Sequence, residues 1–245
     1  MQILITGATG YLGSRLCESL TGHEIIRFDS KSSLSEVDNP DLVIHCATNY
    51  GRNNESESHI HNVNFAYGKE LLERCKDSRF INIGTSLPDI NAYSKSKKLF
   101  SHYGKSTHEN FLDIKLEHFY GPNNNQNNFI TFVSDSCKRN EPELKLSSGK
   151  QQRDFIFIDD VIEAIKMLME TEIRGTVAVG SGKLISIRQV VEKIHRLHNS
   201  TTKLLFGAIP DRGEEMSAAD ITDIVFLTDW QPRHEIDEGL LKTCV

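Results

Sequence analysis

Tyr93 and Lys97, in the run Tyr93-Ser94-Lys95-Ser96-Lys97, stand four residues apart, so on a helix they share one face. A phenol ordinarily titrates at about 10, too high for a base at neutral pH. A neighbouring ammonium favours the phenolate and lowers that pKa. Such a pair can exchange a proton with a hydroxyl or carbonyl while a hydride moves on or off the adjoining carbon. The same spacing is common on solvated helix faces, so it gains meaning only beside elements that bring a hydride carrier.

Those elements are legible at the start of the chain. Ile3-Leu4-Ile5 reads as a buried strand, and Leu12, Leu16 and Leu20 recur at helical spacing. Between them stands Thr6-Gly7-Ala8-Thr9-Gly10-Tyr11-Leu12-Gly13. Glycines in a strand-to-helix turn let the backbone approach a pyrophosphate, whose charge meets N–H groups at the positive helix end. Gly7, Thr9, Gly10, Tyr11, Leu12 and Gly13 are the expected cofactor-binding residues of this turn. Residues 23–28 read as the second strand, and Asp29 ends it. That is close to the roughly 20-residue spacing at which a carboxylate accepts from the adenosine ribose hydroxyls. A carboxylate there repels a 2′-phosphate, which favours NAD(H). Arg27, Lys31 and the serines 30, 32 and 33 keep NADP(H) open.

Strand and helix signals then alternate. Residues 42–46 and 80–83 read as strands, 60–75 as a helix, 93–103 as a helix that carries the Tyr/Lys pair, and 111–119 as a strand. Alternation of this kind argues for a parallel sheet covered by helices on both faces. Few residues separate Asp29 from Leu42, so one βα unit is expected to be trimmed. An asparagine-rich loop at 123–128 follows. Beyond it the pattern loosens: a helix over 129–139, a short strand at 144–146, a strand at 154–158 running into a helix over 159–169, then segments at 176–179, 187–197 and 203–206, with 236–241 closing the chain. The expected division is a dinucleotide-binding domain, 1–122 plus about 153–180, and a smaller lobe, about 123–152 plus 181–245. Ligands of open α/β sheets bind at the carboxyl ends of the strands.

The 245 residues suffice for a full α/β core. Net charge is −6 and no basic cluster is long enough to track a phosphate backbone, so nucleic acid is not an expected partner. No apolar run approaches the roughly 18 residues of a membrane span, and Ile3 already belongs to the first strand, which leaves no room for a signal peptide. Cys17, Cys46, Cys75, Cys137 and Cys244 are scattered without metal-ligand spacing and read as reduced, small hydrophobes. A cytoplasmic protein without a metal is expected.

The glycine turn, Asp29, the strand 42–47, Asn64 within Asn62-Val63-Asn64, Thr85 and the Tyr93/Lys97 pair together resemble the extended short-chain dehydrogenase/reductase family. These are the nucleotide-sugar epimerases, dehydratases and reductases. Tyr120-Gly121-Pro122, Arg153-Asp154-Phe155-Ile156 and Trp230-Gln231-Pro232 extend the resemblance to nearly the whole chain. Within the family, the segments 116–122, 153–160 and 206–209 are most similar to the abequose-synthase type, which reduces the 4-keto group of an activated 6-deoxyhexose.

The resemblance implies a Rossmann-like, doubly wound parallel sheet with a smaller C-terminal substrate-binding lobe. It implies that Ala47, Asn64, Tyr93 and Lys97 help to hold the cofactor. Thr85, or Ser86 one register along, would hydrogen-bond the reacting oxygen at sugar C4. Arg153 would pair with the substrate pyrophosphate, and Arg212 resembles a second phosphate-binding arginine. Relatives form twofold dimers through the helices corresponding to 60–75 and 93–103, where Leu72, Leu99 and Phe100 are the expected apolar contacts.

The chain also departs from the family. Dehydratases carry Asp-Glu directly after the catalytic threonine, and here Thr85 is followed by Ser86-Leu87. The path from Thr85 to Tyr93 is short. Lys115 and His118 replace the arginine and asparagine usual before Tyr-Gly-Pro. The expectation is an NAD(P)H-dependent 4-ketoreductase for a nucleotide-activated 6-deoxyhexose in bacterial-type surface polysaccharide synthesis. The alternative is a nucleotide-sugar 4-epimerase with tightly held NAD. An alternative of another class, a non-catalytic NAD(P)-sensing protein, is disfavoured by the presence of both Tyr93 and Lys97.

Overall fold

The computed structural model describes residues 1–211 and 216–245, which divide into two compact units. The first comprises 1–116, 162–179 and 222–230. Its strands are β1 (Gln2–Thr6), β2 (Glu24–Phe28), β3 (Leu42–His45), β4 (Arg79–Ile83), β5 (Phe111–Leu116) and β9 (Gly175–Val179). They form a six-stranded sheet among the described residues, in the order β2-β1-β3-β4-β5-β9, with every pair parallel. Ile3, Leu4 and Ile5 of β1 are completely buried, as an apolar run in a sheet covered on both faces must be. The connection from β2 to β3 holds one turn of 3-10 helix, Leu34–Glu36, in agreement with a trimmed crossover.

The helices of this unit are α1 (Tyr11–Ser19), α2 (Glu57–His61), α3 (Tyr67–Arg74), α4 (Ala92–Thr107), most of α6 (Ile158–Met169) and α8 (Thr222–Thr228). Residues Asn62–Ala66, between α2 and α3, wind as a single π-helical stretch. Leu71 and Leu72 of α3 and Phe100 of α4 pack with Leu4, Val43, Phe80 and Phe111, and the Phe80 and Phe111 rings stack at 5.7 Å. Leu72 and Phe100 are 2% and 0% exposed. Their apolar surface is spent on this core, which corrects their expected role as intersubunit contacts.

The second unit comprises 117–161, 180–221 and 231–245. It contains β6 (His118–Tyr120), α5 (Phe129–Lys138), β7 (Glu143–Leu146), β8 (Gln152–Phe157), β10 (Leu184–Ser186), α7 (Ile187–Leu197), β11 (Lys203–Phe206) and α9 (Ile236–Cys244). The strands pair as β10-β8-β6 and β11-β7. A capping box starts α7, where the Ser186 hydroxyl accepts from Gln189 N and the Gln189 side chain accepts from Ser186 N. The strand expected over 111–119 is two: β5 runs in the parallel sheet, and β6 pairs with β8. For the same reason residues 117–122 and 153–161 fall in the second unit, although the sequence groups them with the first. Neither β10 nor α8 was expected.

The whole is a doubly wound, Rossmann-like parallel sheet with a smaller additional unit. Among the described residues no helix is long and apolar enough to cross a membrane.

Candidate active site

The glycine turn has the geometry of a cradle. Gly7, at the end of β1, holds φ +64°, where a side chain is strained, and a Cβ on it would meet Ala47 N at 2.9 Å. Gly10 N donates to Gly7 O at 2.8 Å, which closes the turn. A Cβ on Gly13 would stand 2.3 Å from Gly7 O, so only glycine lets α1 pack this closely on the strand end. Gly10 is the N-cap of α1 and no side chain caps this end. Thr9 and Gly10 are exposed, Tyr11 is half-buried, and Leu12 and Gly13 are buried. The turn thus offers backbone, at a positive helix end with no side chain over it, and the residues fit a pyrophosphate. Gly13→Ala is expected to weaken NADH binding by about tenfold or more, read by fluorescence titration. Unchanged binding would show that the cofactor sits elsewhere.

Ala47 is set by a relay between strands. Ala47 N donates to Thr6 Oγ1 at 3.1 Å, and that hydroxyl shares a hydrogen bond with His45 Nδ1 at 2.8 Å. His45 is fully buried, and desolvation with the nearby Lys97 charge holds its pKa well below the usual value. It is therefore neutral. Asp29 ends β2 half-buried, and its carboxylate accepts from Lys31 N at 2.8 Å. Asn64 sits at the centre of the π-helical stretch and is completely buried. Its Oδ1 accepts from Asn49 N at 2.7 Å, while Nδ2 donates to Asn49 O at 2.9 Å and Ser96 Oγ at 3.1 Å. Both amide protons are spent on the protein. Asn64 therefore fixes the loop after β3 to α4, rather than offering its amide outward.

Tyr93 lies in the first turn of α4. Asn91 Oδ1 caps that helix by accepting from Ser94 N at 2.8 Å, and Ser94 Oγ accepts in return from Asn91 N. Tyr93 is 9% exposed, and its ring lies 4.9 Å from that of Tyr50, over which the Arg52 guanidinium sits at 4.6 Å. Burial pushes the Tyr93 phenol above its ordinary value; Tyr50 adds to this, while the neighbouring Thr85 hydroxyl and the Arg52 charge oppose it. This corrects the expected depression by Lys97. The lysine shares the helix face but is itself dry, 1% exposed, with its own pKa brought down to about 8 by burial. Among the described residues Lys97 Nζ has no hydrogen-bond partner. A buried ammonium without a partner is costly, and it fits a ligand that brings hydroxyl oxygens.

Thr85 Oγ1 also accepts from Leu87 N at 3.3 Å, and Ser86 N donates to Leu116 O. Of the two hydroxyl residues, Thr85 is the one whose side chain opposes the upward shift of the phenol. Arg153, in β8 of the second unit, is half-buried and donates to Gln152 O at 2.7 Å. Arg212 lies outside the described residues. Next to Arg153, the completely buried Asp154 accepts from Ser181 N, Ser181 Oγ, Gly182 N and Ala219 N at 2.6–3.0 Å. Sequence reasoning missed this carboxylate, as it missed Tyr50 and Arg52. An acid inside an apolar strand was the available signal.

Comparison with known proteins bears on these residues. The profile of the NAD dependent epimerase/dehydratase family matches residues 3–180. The chain belongs to this family. A CDP-abequose synthase of Salmonella muenchen is 29% identical over 98% of this chain and 96% of its own length. Among solved structures, UDP-glucose 4-epimerase of Thermotoga maritima, with UDP-glucose, superposes with a TM-score of 0.89 at 19% identity, covering 100% of this chain and 97% of that one. UDP-glucuronic acid 4-epimerase of Bacillus cereus, in complex with UDP-glucuronic acid and NAD, superposes with a TM-score of 0.85 at 20% identity, covering 100% and 98%. At these identities the structural likeness concerns the fold. The glycine turn and the Tyr93/Lys97 pair both lie inside the matched span, so this epimerase/dehydratase chain has the fold of an NAD(P)-binding oxidoreductase.

Proposed function

We propose that this chain performs NAD(H)-dependent redox chemistry at C4 of a nucleotide sugar. The observation that carries the reading is the buried Tyr93 phenol, with the Thr85 hydroxyl near enough to oppose its upward shift, one helical turn from a dry and unpartnered Lys97. When bound, the nicotinamide supplies or accepts the hydride. The chain does the rest. Gly7, Gly10 and Gly13 open the backbone to the pyrophosphate, with Thr9, Tyr11 and Leu12 in the same turn, and Asp29 accepts from the adenosine ribose. Lys97 donates to the second ribose. Thr85, rather than Ser86, orients the sugar oxygen, and Tyr93 moves its proton. Arg153, and Arg212 with it, pair with the substrate diphosphate.

Two net reactions use these residues. The neighbours of known structure named above are 4-epimerases, which favours reversible exchange at C4 with the cofactor retained. A net 4-ketoreduction is favoured by the CDP-abequose synthase, which matches nearly end to end, and by the state of the phenol. With its pKa raised, Tyr93 is protonated at neutral pH and poised to give a proton to a carbonyl oxygen, the direction of reduction. Incubation with NADH and a nucleotide-linked 4-keto-6-deoxysugar separates them: stoichiometric loss of nicotinamide absorbance marks the reductase. NAD that copurifies, with C4 interconversion and no consumption, marks the epimerase. A folded protein that shows neither of these activities would overturn the proposal.

Asp29→Ala should narrow a preference for NADH over NADPH, measured by the ratio of the two dissociation constants. A wild-type preference for NADPH would reassign Arg27 and Lys31 as phosphate partners. The protein is further proposed to be a cytoplasmic homodimer. Unpaired Cys17, Cys46, Cys75, Cys137 and Cys244 suit a reducing compartment. On α4, Leu99 is 45% exposed, and the Tyr103 ring meets Phe65 edge-on at 6.0 Å beside Lys69. Sedimentation at micromolar concentration should give twice the chain mass of 27.7 kDa. The monomer mass would remove these helices as an interface.

A further inference from the structure

The loop after β3 carries a second tyrosine onto Tyr93, and the proposed reaction gives it no task. Its first anchor is Asn49, whose N–H and carbonyl are both held by the Asn64 side chain, at 2.7 Å and 2.9 Å. Asn49 Oδ1 then accepts from Gly51 N at 2.8 Å, which folds the next residues into a tight turn. Gly51 stands at φ +69°, and a Cβ on it would meet Ile60 Cδ1 of α2 at 2.6 Å. Only glycine fits this turn. The turn lays the Tyr50 ring 4.9 Å from that of Tyr93, tilted by 36°, and sets the Arg52 guanidinium 4.6 Å over Tyr50.

The same asparagine also fixes the backbone that bears Tyr93. Asn64 Nδ2 donates to Ser96 Oγ at 3.1 Å, and that hydroxyl donates between the carbonyls of Ala92 at 2.7 Å and Tyr93 at 2.9 Å. One side chain therefore registers the loop against the very residue that its ring touches. Tyr50 is 43% exposed and Tyr93 only 9%, so the outer ring covers the inner one. On a helix two χ1 wells, at about 180° and about −60°, are open to an aromatic residue. A phenol oxygen lies on the axis of its ring, so a χ2 flip leaves it in place. A change of χ1 well swings it away from whatever it faces. A neighbouring ring seated against one side is what separates the two wells.

We propose that Tyr50 is a positioning residue for Tyr93: its ring, held by the clip of Asn49 to Asn64 and backed by Arg52, keeps the Tyr93 side chain in one χ1 well. The consequence for turnover rests on the function proposed above, whereas the effect on the side-chain conformation does not.

The test compares Tyr50→Phe, which keeps the ring, with Tyr50→Ala, which removes it. The χ1 well of Tyr93 is read in the full-length protein from the three-bond couplings of its Cγ to the backbone nitrogen and carbonyl carbon. In the wild type and Tyr50→Phe the couplings should report one well, and in Tyr50→Ala an average of two. In Tyr50→Ala kcat should fall by about tenfold or more, the order expected when a reacting group is misplaced. KM for the nucleotide sugar, NADH affinity and Tm should stay nearly unchanged, and Tyr50→Phe should keep the wild-type kcat. A folded Tyr50→Ala with wild-type couplings overturns the proposal. A raised KM with kcat intact also overturns it and makes Tyr50 a substrate contact. A Tyr50→Phe as impaired as Tyr50→Ala does the same, because the hydroxyl and not the ring would then matter. If Tyr50→Ala does not fold, Gly51→Ala decides. It keeps both rings and displaces the turn, so the couplings should average there too, and wild-type couplings overturn the proposal. Because the couplings need no substrate, an inactive wild type whose Tyr93 conformation depends on Tyr50 would refute the proposed function alone.

Discussion

Tyr93→Phe is expected to lower turnover by about 10²–10⁴, the usual worth of a positioned proton donor, with NADH affinity and thermal stability nearly unchanged. The substitution keeps the ring against Tyr50 and the cap at Asn91, and deletes one oxygen beside Thr85. Because that oxygen acts in the transition state, kcat and kcat/KM should fall together. The pH profile provides a second check. The phenol is raised above its ordinary value, so it contributes no limb at neutral pH. Lys97 does: its ammonium is present below about 8 and is lost above it, so activity should decline as the pH rises through that value. The residual activity of Tyr93→Phe should keep this limb. Wild-type turnover in the variant would reduce the Tyr/Lys pair to packing.

Asp154→Ala should open the second unit locally. Three backbone N–H groups and the Ser181 hydroxyl converge on one buried carboxylate, and removal of that acceptor strands all four donors. Hydrogen bonds to a charged group are each worth about 1.5–3 kcal/mol, and their losses do not add fully. A local cost of about 3 kcal/mol or more follows. Amide exchange at Ser181, Gly182 and Ala219 reads it directly and should speed by about a hundredfold or more. Protection unchanged at these three positions would show that the loop is held by its own turns.

The parts of the fold that were legible in the sequence are those where periodicity and punctuation agree. The apolar strand, glycines and leucines of residues 3–20 leave no other reading, and the helix bearing Tyr93 starts within one residue of its expected first position. Residues 111–119 misled because their apolar and aromatic run has no glycine or proline at Glu117, where the chain changes sheets. The three residues of β10 are too few for a period to show. In the site, residue types and spacing singled out Tyr93 and Lys97 as candidates and the family resemblance added Thr85, but the direction of the phenol shift depends on burial, which spacing does not reveal. Asp154 was missed for a related reason. Its partners are backbone amides and a serine hydroxyl from distant segments, so nothing near it in sequence announces a role.

The π-helical stretch Asn62–Ala66 makes the length of its helix a matter of indexing. Each residue of an α-helix advances the direction of its side chain by about 100°. A π turn admits a surplus residue without straightening the rod, at some loss of hydrogen-bond quality. Upstream of it Ile60 is buried, and downstream Leu71 and Leu72 are buried, with Asn64 aimed at Asn49 between them. Deletion of one residue within 62–66 would let the ladder close as uninterrupted α-helix and would improve its regularity. It would also turn everything on one side by about 100° relative to the other, so that the leucines and the asparagine could no longer face their targets together. The irregularity acts as a vernier, and the chain gives up a better helix to keep two faces in phase.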